Sequence, residues 1–276
     1  MRSIAIIAGK EVRDGMRNRW VVATTLLLAA LALTLAFLGS APTGTVKVSP
    51  LAVTIVSLSS LTIFLLPLIA LLLSYDAIVG EIDRGTMALL LAYPVSRWQV
   101  LLGKFLGHLA ILAFATILGY GAAGAALALT GGDIDLDALL SLAAMIGSSV
   151  LLGAVFVALG YLVSTAVRDR GTAAGIAIGV WLLFVLLYDM ALLGVLVADQ
   201  GRHVTAESLN WLLLLNPADA YRLLNLTGFA NVSMFAGMAG LTGQTHLGQT
   251  TLLAALALWV AVPLALATGL FARRQL

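Results

Sequence analysis

Six stretches of the chain are apolar on every face for roughly 20 residues, the length a helix needs to cross a ~30 Å hydrocarbon layer. They fall at about 20–38, 51–74, 105–129, 139–163, 172–197 and 251–271. Helix-ending residues bound several of them. Gly39 follows the first, Ser49 and Pro50 suit the N-cap and first position of the second, and Asp137 suits the cap of the fourth. Pro67 and Pro263 lie inside the second and sixth stretches and predict kinks there. Residues 3–19 have a different period. Lys10, Arg13 and Arg17 recur at i, i+3 and i+7, with Ala8, Val12 and Met16 opposite. This pattern predicts an interfacial helix along the headgroups, or else a plain basic flank to the first span.

Composition agrees. With 61% hydrophobic and 10% charged residues and a mean hydropathy of +1.07, the chain lies far from a soluble domain at roughly 45–50% apolar and about 25% charged. Disorder and nucleic-acid binding are excluded, the latter despite a pI of 9.1. The absence of cysteine removes disulfides, thiolate metal sites and iron–sulfur clusters.

Lysine and arginine orient the spans. With the N-terminus inside, Arg2, Lys10, Arg13, Arg17, Arg19, Arg84, Arg97, Lys104, Arg168, Arg170, Arg273 and Arg274 face the cytoplasm. These are 12 of the 15 cations, leaving Lys47, Arg202 and Arg222 outside. Both termini are therefore expected in the cytoplasm of an inner-membrane, multi-pass protein. Residues 1–40 read as an uncleaved first span, because both the charged region and the apolar run are too long for a signal peptide.

Residues 76–104 hold the densest mixture of charge and pattern. Asp76, Glu81, Asp83 and Arg84 precede Met87, Leu89, Leu90 and Leu91; Tyr93-Pro94 breaks the helix, and Ser96 with Gln99 forms a capping box that restarts it. A short amphipathic helix is expected to protrude below the membrane, either against a partner or folded onto the headgroups. The run Gly80-Glu81-x-x-Arg84-Gly85-Thr86-x-x-Leu89-Leu90, then Tyr93-Pro94-Val95-Ser96-Arg97 and Leu102-Gly103-Lys104, resembles the signature of type-2 ABC transporter permeases. Gly9-Lys10-Glu11-Val12-Arg13-Asp14 looks like that family's elbow helix.

The resemblance implies an all-α polytopic membrane protein with the type-2 ABC exporter permease fold, one domain over 1–276. It has six transmembrane helices, an elbow helix at 3–19, a coupling loop at 76–104 and an outer loop at 198–250. It also implies that Glu81, Asp83, Arg84, Thr86, Leu89, Leu90 and Arg97 couple to a separate ATPase. The acidic stretch is sparser than usual in the family, so docking is expected to lean on Leu89, Leu90 and Arg84. Arg168, Asp169 and Arg170 are a weaker second contact or simply a solvated turn. No G-x-x-x-x-G-K-[ST] occurs, so the chain is expected to be no enzyme. The resemblance places Mg-ATP on two copies of an ABC ATPase beside two copies of this chain.

Within the spans, Gly171, Gly175 and Gly179 repeat at every fourth residue and suit either a dimer seam or packing within the subunit. Asp189 is the one carboxylate inside a span; about 26 Å along the helix at 1.5 Å per residue, it is expected near the outer headgroups, hydrated or paired. His108 is expected to be a hydrogen-bonded interface residue. In the outer loop, residues 212–215 are too short to span, so re-entrant or surface-lying helices are expected around Asn216, Pro217, Tyr221 and Arg222.

MRSIAIIAGKEVRDGMRNRW, IVGEIDRGTMALLLAYPVSRWQVLLGK and NPADAYRLLNLTG also resemble the permeases that serve nitrous-oxide reductase maturation. That resemblance implies a periplasmic β-helical partner, copper handled by partner proteins, and a sulfur species as candidate cargo. Asn216, Pro217, Tyr221, Arg222, Met234 and Met238 are the expected contacts with that partner. Met234 and Met238, with His203 and His246, could suggest Cu(I), but methionine at helical spacing is usually packing; no metal site or bound cofactor is expected here. A drug, lipid or small-molecule exporter shares every feature up to the outer loop.

Overall fold

The computed structural model describes residues 2–17, 19–38, 50–129, 136–199, 204–226 and 247–275. Every regular element among them is helical. α1 (Arg2–Met16) leads into α2 (Arg19–Leu38) and α3 (Pro50–Ser74), followed by two short helices, α4 (Val79–Asp83) and α5 (Thr86–Leu91). α6 (Arg97–Leu129) and α7 (Leu136–Ala166) come next. α8 (Arg170–Leu182) passes through a π-helical turn, Leu183–Leu187, into α9 (Tyr188–Asp199). α10 (Ala206–Leu214), α11 (Pro217–Leu226) and α12 (Gln249–Arg273) complete the described chain. Five helices, α8–α9 being one, are long and apolar enough to cross a membrane; α2 adds a shorter apolar stretch, Val22–Leu35.

The helix ends show how the bundle alternates. Ser164, at the end of α7, accepts hydrogen bonds from the Ile78 and Val79 N–H groups at 3.0 and 3.1 Å. Arg170, opening α8, pairs with Asp76 at 2.8 Å, and Arg97, opening α6, donates to the Phe271 carbonyl near the end of α12 at 2.7 Å. The exits of α3, α7 and α12 thus meet the entries of α6 and α8, so successive long helices run antiparallel. Their shared end also holds α4 and α5.

Lipid gives apolar helices no hydrophobic reason to associate, so close backbone approach must do it. α3 packs on α7, α2 on α6, and α12 on α7. A Cβ at Gly160 would lie 2.0 Å from Ser74 Oγ, which fixes how near α7 and α3 come. Buried hydroxyls satisfy one another: Thr62 and Tyr120 at 2.6 Å, Ser149 and Tyr221 at 2.9 Å.

The third long helix begins at Arg97, at the capping box expected to restart the chain: Gln99 Oε1 accepts from the Ser96 N–H at 3.0 Å, and no proline follows. Its 33 residues make about 50 Å of helix. α1 turns Ile7 and Glu11 inward, while Met16 is exposed; contact with α6 decides its buried face, not the apolar stripe read from the sequence. Of the two placements expected for the outer-loop helix, re-entrant or surface-lying, α11 takes the first. Asn216, Ala218, Asp219, Ala220 and Tyr221 are buried, and the Tyr221 bond to Ser149 in the middle of α7 makes the segment re-entrant.

Candidate functional site: the α4–α5 segment and its charge network

α4 ends where Gly85 adopts a left-handed conformation (φ 71°), which side chains with a Cβ rarely take. Beyond this turn α5 carries Met87 inward, 1% exposed, and Leu89 outward, 69% exposed. Tyr93, also 69% exposed, and Trp98 at 50% extend the same outer surface. Asp83, Arg84 and Thr86 are exposed beside it, and Leu90 is half-buried. A six-residue helix is too short to hold its own shape, so its position depends on what α4 is tied to.

The ties are ionic. Lys104 Nζ, on α6 with its side chain 3% exposed, lies 2.7 Å from Glu81 Oε1 and 2.8 Å from Glu11 Oε1. One buried ammonium therefore joins α4 to α1. Lys10 adds Glu11 at 3.2 Å, Asp14 at 3.3 Å and Glu81 at 3.8 Å. Glu11 Oε2 also faces His108 Nε2 at 3.6 Å, and His108 Nδ1 meets the Tyr161 hydroxyl at 2.9 Å. Burial opposes charge on Glu11, but Lys104, then His108 and Lys10, hold its carboxyl below the ordinary value. Partial burial likewise opposes charge on Lys10, but Glu11 and Glu81 hold its ammonium above the usual range.

α1 can reach Lys104 because α6 has no side chain in the way. A Cβ at Gly103 would sit 2.8 Å from Ile7 Cβ, and one at Gly107 would sit 2.5 Å from Glu11 Cβ. Gly103, Gly107 and Lys104 thus form one docking strip for α1. Among these groups, the sequence reading missed Lys104, Glu11 and His108 as partners. The available signal was a lysine inside the apolar run LLGKFLG, since a charge there needs a counter-charge.

The expected coupling residues divide accordingly. Asp83, Arg84, Thr86 and Leu89 are on the outer surface, with Leu90 at its edge. Glu81 is not; a buried carboxylate must be paired, and it faces Lys104. Arg97 is also drawn inward, with its guanidinium 5.6 Å above the Phe271 ring and on the last carbonyls of α12. Arg168 is exposed, Arg170 holds Asp76, and Asp169 caps α8 by accepting from the Thr172 N–H at 2.8 Å, which lowers its carboxyl pKa.

A Cβ at Gly175 or Gly179 would meet nothing within 4 Å, and one at Gly171 would touch only Asp169. Among the described residues nothing packs on the glycine stripe, which lies in a span that is little buried.

At the far end, the expected partner contacts are mostly internal. Asn216 and Tyr221 have no exposed surface and Pro217 is buried. Arg222 pairs with Asp189 at 2.8 Å and Asp219 at 2.5 Å, so Asp189 is a paired residue. These side chains hold α11 in the bundle, and Asn216, Pro217 and Tyr221 offer no outer surface. Met234 and Met238, with His203 and His246, lie outside the described residues.

Comparison with known proteins matches this architecture. Residues 5–276 match the family described as ABC-2 family transporter protein. The chain is 49% identical over 271 residues to the probable ABC transporter permease protein NosY of Pseudomonas aeruginosa, covering 98% of each chain. It is 47% identical over 275 residues to the protein of the same name from Stutzerimonas stutzeri, covering 99% of each. The chain belongs to the ABC-2 transporter family, as a multi-pass permease subunit of the inner membrane.

Proposed function

We propose that this permease serves nitrous-oxide reductase maturation, carrying ATP-driven motion from a cytoplasmic ATPase to a periplasmic protein that helps assemble the copper sites. The observation that carries the reading is similarity over nearly the whole chain to two permeases named NosY. Two copies of the chain assemble with two NosF-like ATPases, which bind Mg-ATP, and a NosD-like β-helical protein on the periplasmic side. Copper is handled by those partners, and a sulfur species is the candidate cargo.

The exposed surface of Asp83, Arg84, Thr86, Leu89 and Tyr93 supports ATPase docking. Motion of α4 reaches α1 and α6 through Glu81, Lys104 and Glu11, and reaches α8 through Asp76 and Arg170. The open glycine face of α8 supports pairing with a second copy.

Affinity purification from native membranes in mild detergent, with partners identified by mass spectrometry, tests the proposal. An ATPase together with a periplasmic β-helical protein is the expected result. Recovery of an ATPase alone would favour an exporter of a drug, lipid or other small molecule.

A further inference from the structure

At the end of the bundle away from α4 and α5, two carboxylates share one cation. Arg222 Nη2 donates to Asp189 Oδ2 at 2.8 Å, and Nη1 donates to Asp219 Oδ1 at 2.5 Å. Asn216 Nδ2 donates both to Asp219 Oδ2 at 2.9 Å and to the Phe184 carbonyl at 3.0 Å, within the π turn. This set is the polar joint between re-entrant α11 and the α8–α9 span. Its charges do not balance: with both carboxylates ionised, it carries one negative charge in excess.

The hydrogen bonds show the same surplus. Asp219 is 1% exposed. Asp189 Oδ1 is buried and meets no donor among the described residues. Arg222 holds Asp189 and Asp219 on the two terminal nitrogens of one guanidinium, so two ionised carboxylates would crowd a single cation. Among the described residues, the other ionisable groups at this end do not relieve the pair. Tyr188 donates to the Leu212 carbonyl, Asp199 accepts from the Val204 N–H, and Asp137 and Glu207 are exposed. On the packed face of α7, Ser148 and Ser149 present hydroxyls, bonded to Asn225 and Tyr221.

We propose that Asp189 and Asp219 hold a single proton between them, and that this proton latches α11 to α9. With it in place, the joint is neutral and every oxygen has a partner: one carboxyl donates to the other, and Arg222 bridges both. Loss of the proton leaves the buried Asp219 carboxylate and the half-buried Asp189 carboxylate on one guanidinium, which pushes α11 away from α9. Burial pushes the Asp219 carboxyl up to about 7, against the pull of Arg222, placing the transition near neutral pH. The latch depends only on this chain's own residues and not on which partners it serves.

The test uses the full chain in lipid nanodiscs, titrated from about pH 5 to about pH 9. Infrared spectroscopy follows the protonated-carboxyl stretch, and hydrogen exchange follows peptides covering 206–226. The expected result is a carboxyl band that disappears near pH 7 while exchange of α11 rises at least about tenfold. Asp219→Asn and Asp189→Asn each supply a permanent donor, so each should remove that band and keep α11 protected throughout. A wild-type protein with no carboxyl band titrating near neutrality, or with flat α11 exchange, would overturn the latch. So would a band or an exchange transition surviving in both asparagine variants.

Discussion

Glu81 and Lys104 stand 2.7 Å apart, on α4 and α6, in a pocket that leaves the lysine side chain 3% exposed. Removing one partner of a buried ion pair leaves the other uncompensated and costs about 3–5 kcal/mol. Lys104→Met leaves two carboxylates, Glu11 and Glu81, so it should lower the Tm sharply in detergent. Adding Glu11→Gln and Glu81→Gln should recover most of the loss, since no buried charge then remains. A Tm for Lys104→Met equal to the parent's would contradict the network.

The Glu11 contribution has a definite pH sign. Its folded pKa lies below the ordinary 4.5, so the stabilisation is complete above that value and is lost as pH falls through the lower folded one. α1 should stay docked through neutral pH and loosen only in acid below about pH 4.5. A spin label on α1 reports the change. Loosening between neutrality and pH 6 would assign the effect to another group.

Leu89 and Met87 are two residues apart but differ in role. Leu89→Glu alters a side chain that is 69% exposed and should leave folding intact while abolishing co-purification of the ATPase. Met87→Glu places a charge where exposure is 1% and should disorder the segment itself. If the ATPase still binds Leu89→Glu, α5 is not its dock.

Gly107→Ala should push α1 off α6, because the new Cβ would fall 2.5 Å from Glu11 Cβ. Overpacking of this kind costs about 1–3 kcal/mol, and proteolysis of α1 should quicken. Gly121→Ala, with nothing within 4 Å, is the matched control.

A Cβ at Gly175 meets nothing within 4 Å among the described residues, so Gly175→Leu should leave the monomer folded. Its expected effect is loss of dimer, measured by mass photometry in detergent. An unchanged mass would place the dimer contact elsewhere.

The long helices are legible in the sequence because an apolar run of spanning length has few alternatives. Tyr93-Pro94 and Ser96 likewise mark the break before α6 unambiguously, since proline constrains the residue before it and Gln99 completes half of a cap. Pairings between distant segments are harder to read. Glu81 and Arg97 look like surface charges in a loop motif, yet Lys104 and the end of α12 turn both inward. Tyr221 and Asn216 look like an outer-loop surface for the same reason: local pattern does not disclose that α11 packs back against α7. Lys104, within its apolar run, was the position where a charge demanded a partner that sequence could not name.

The unbroken course of α6 has a mechanical consequence. α3 and α12 carry Pro67 and Pro263 within them and a π turn separates α8 from α9, whereas α6 runs from Arg97 to Leu129 with neither proline nor π turn. A rod of about 50 Å pivoting at one end moves its tip by about 1 Å for each degree of tilt. Because Lys104 sits near the start of that rod, a small rotation there arrives at the opposite end as a displacement the size of a rotamer change. A stiff α6 would therefore act as a lever, with the loss of a backbone hydrogen bond at each proline and at the π turn making α3, α12 and α8–α9 the easier elements to bend.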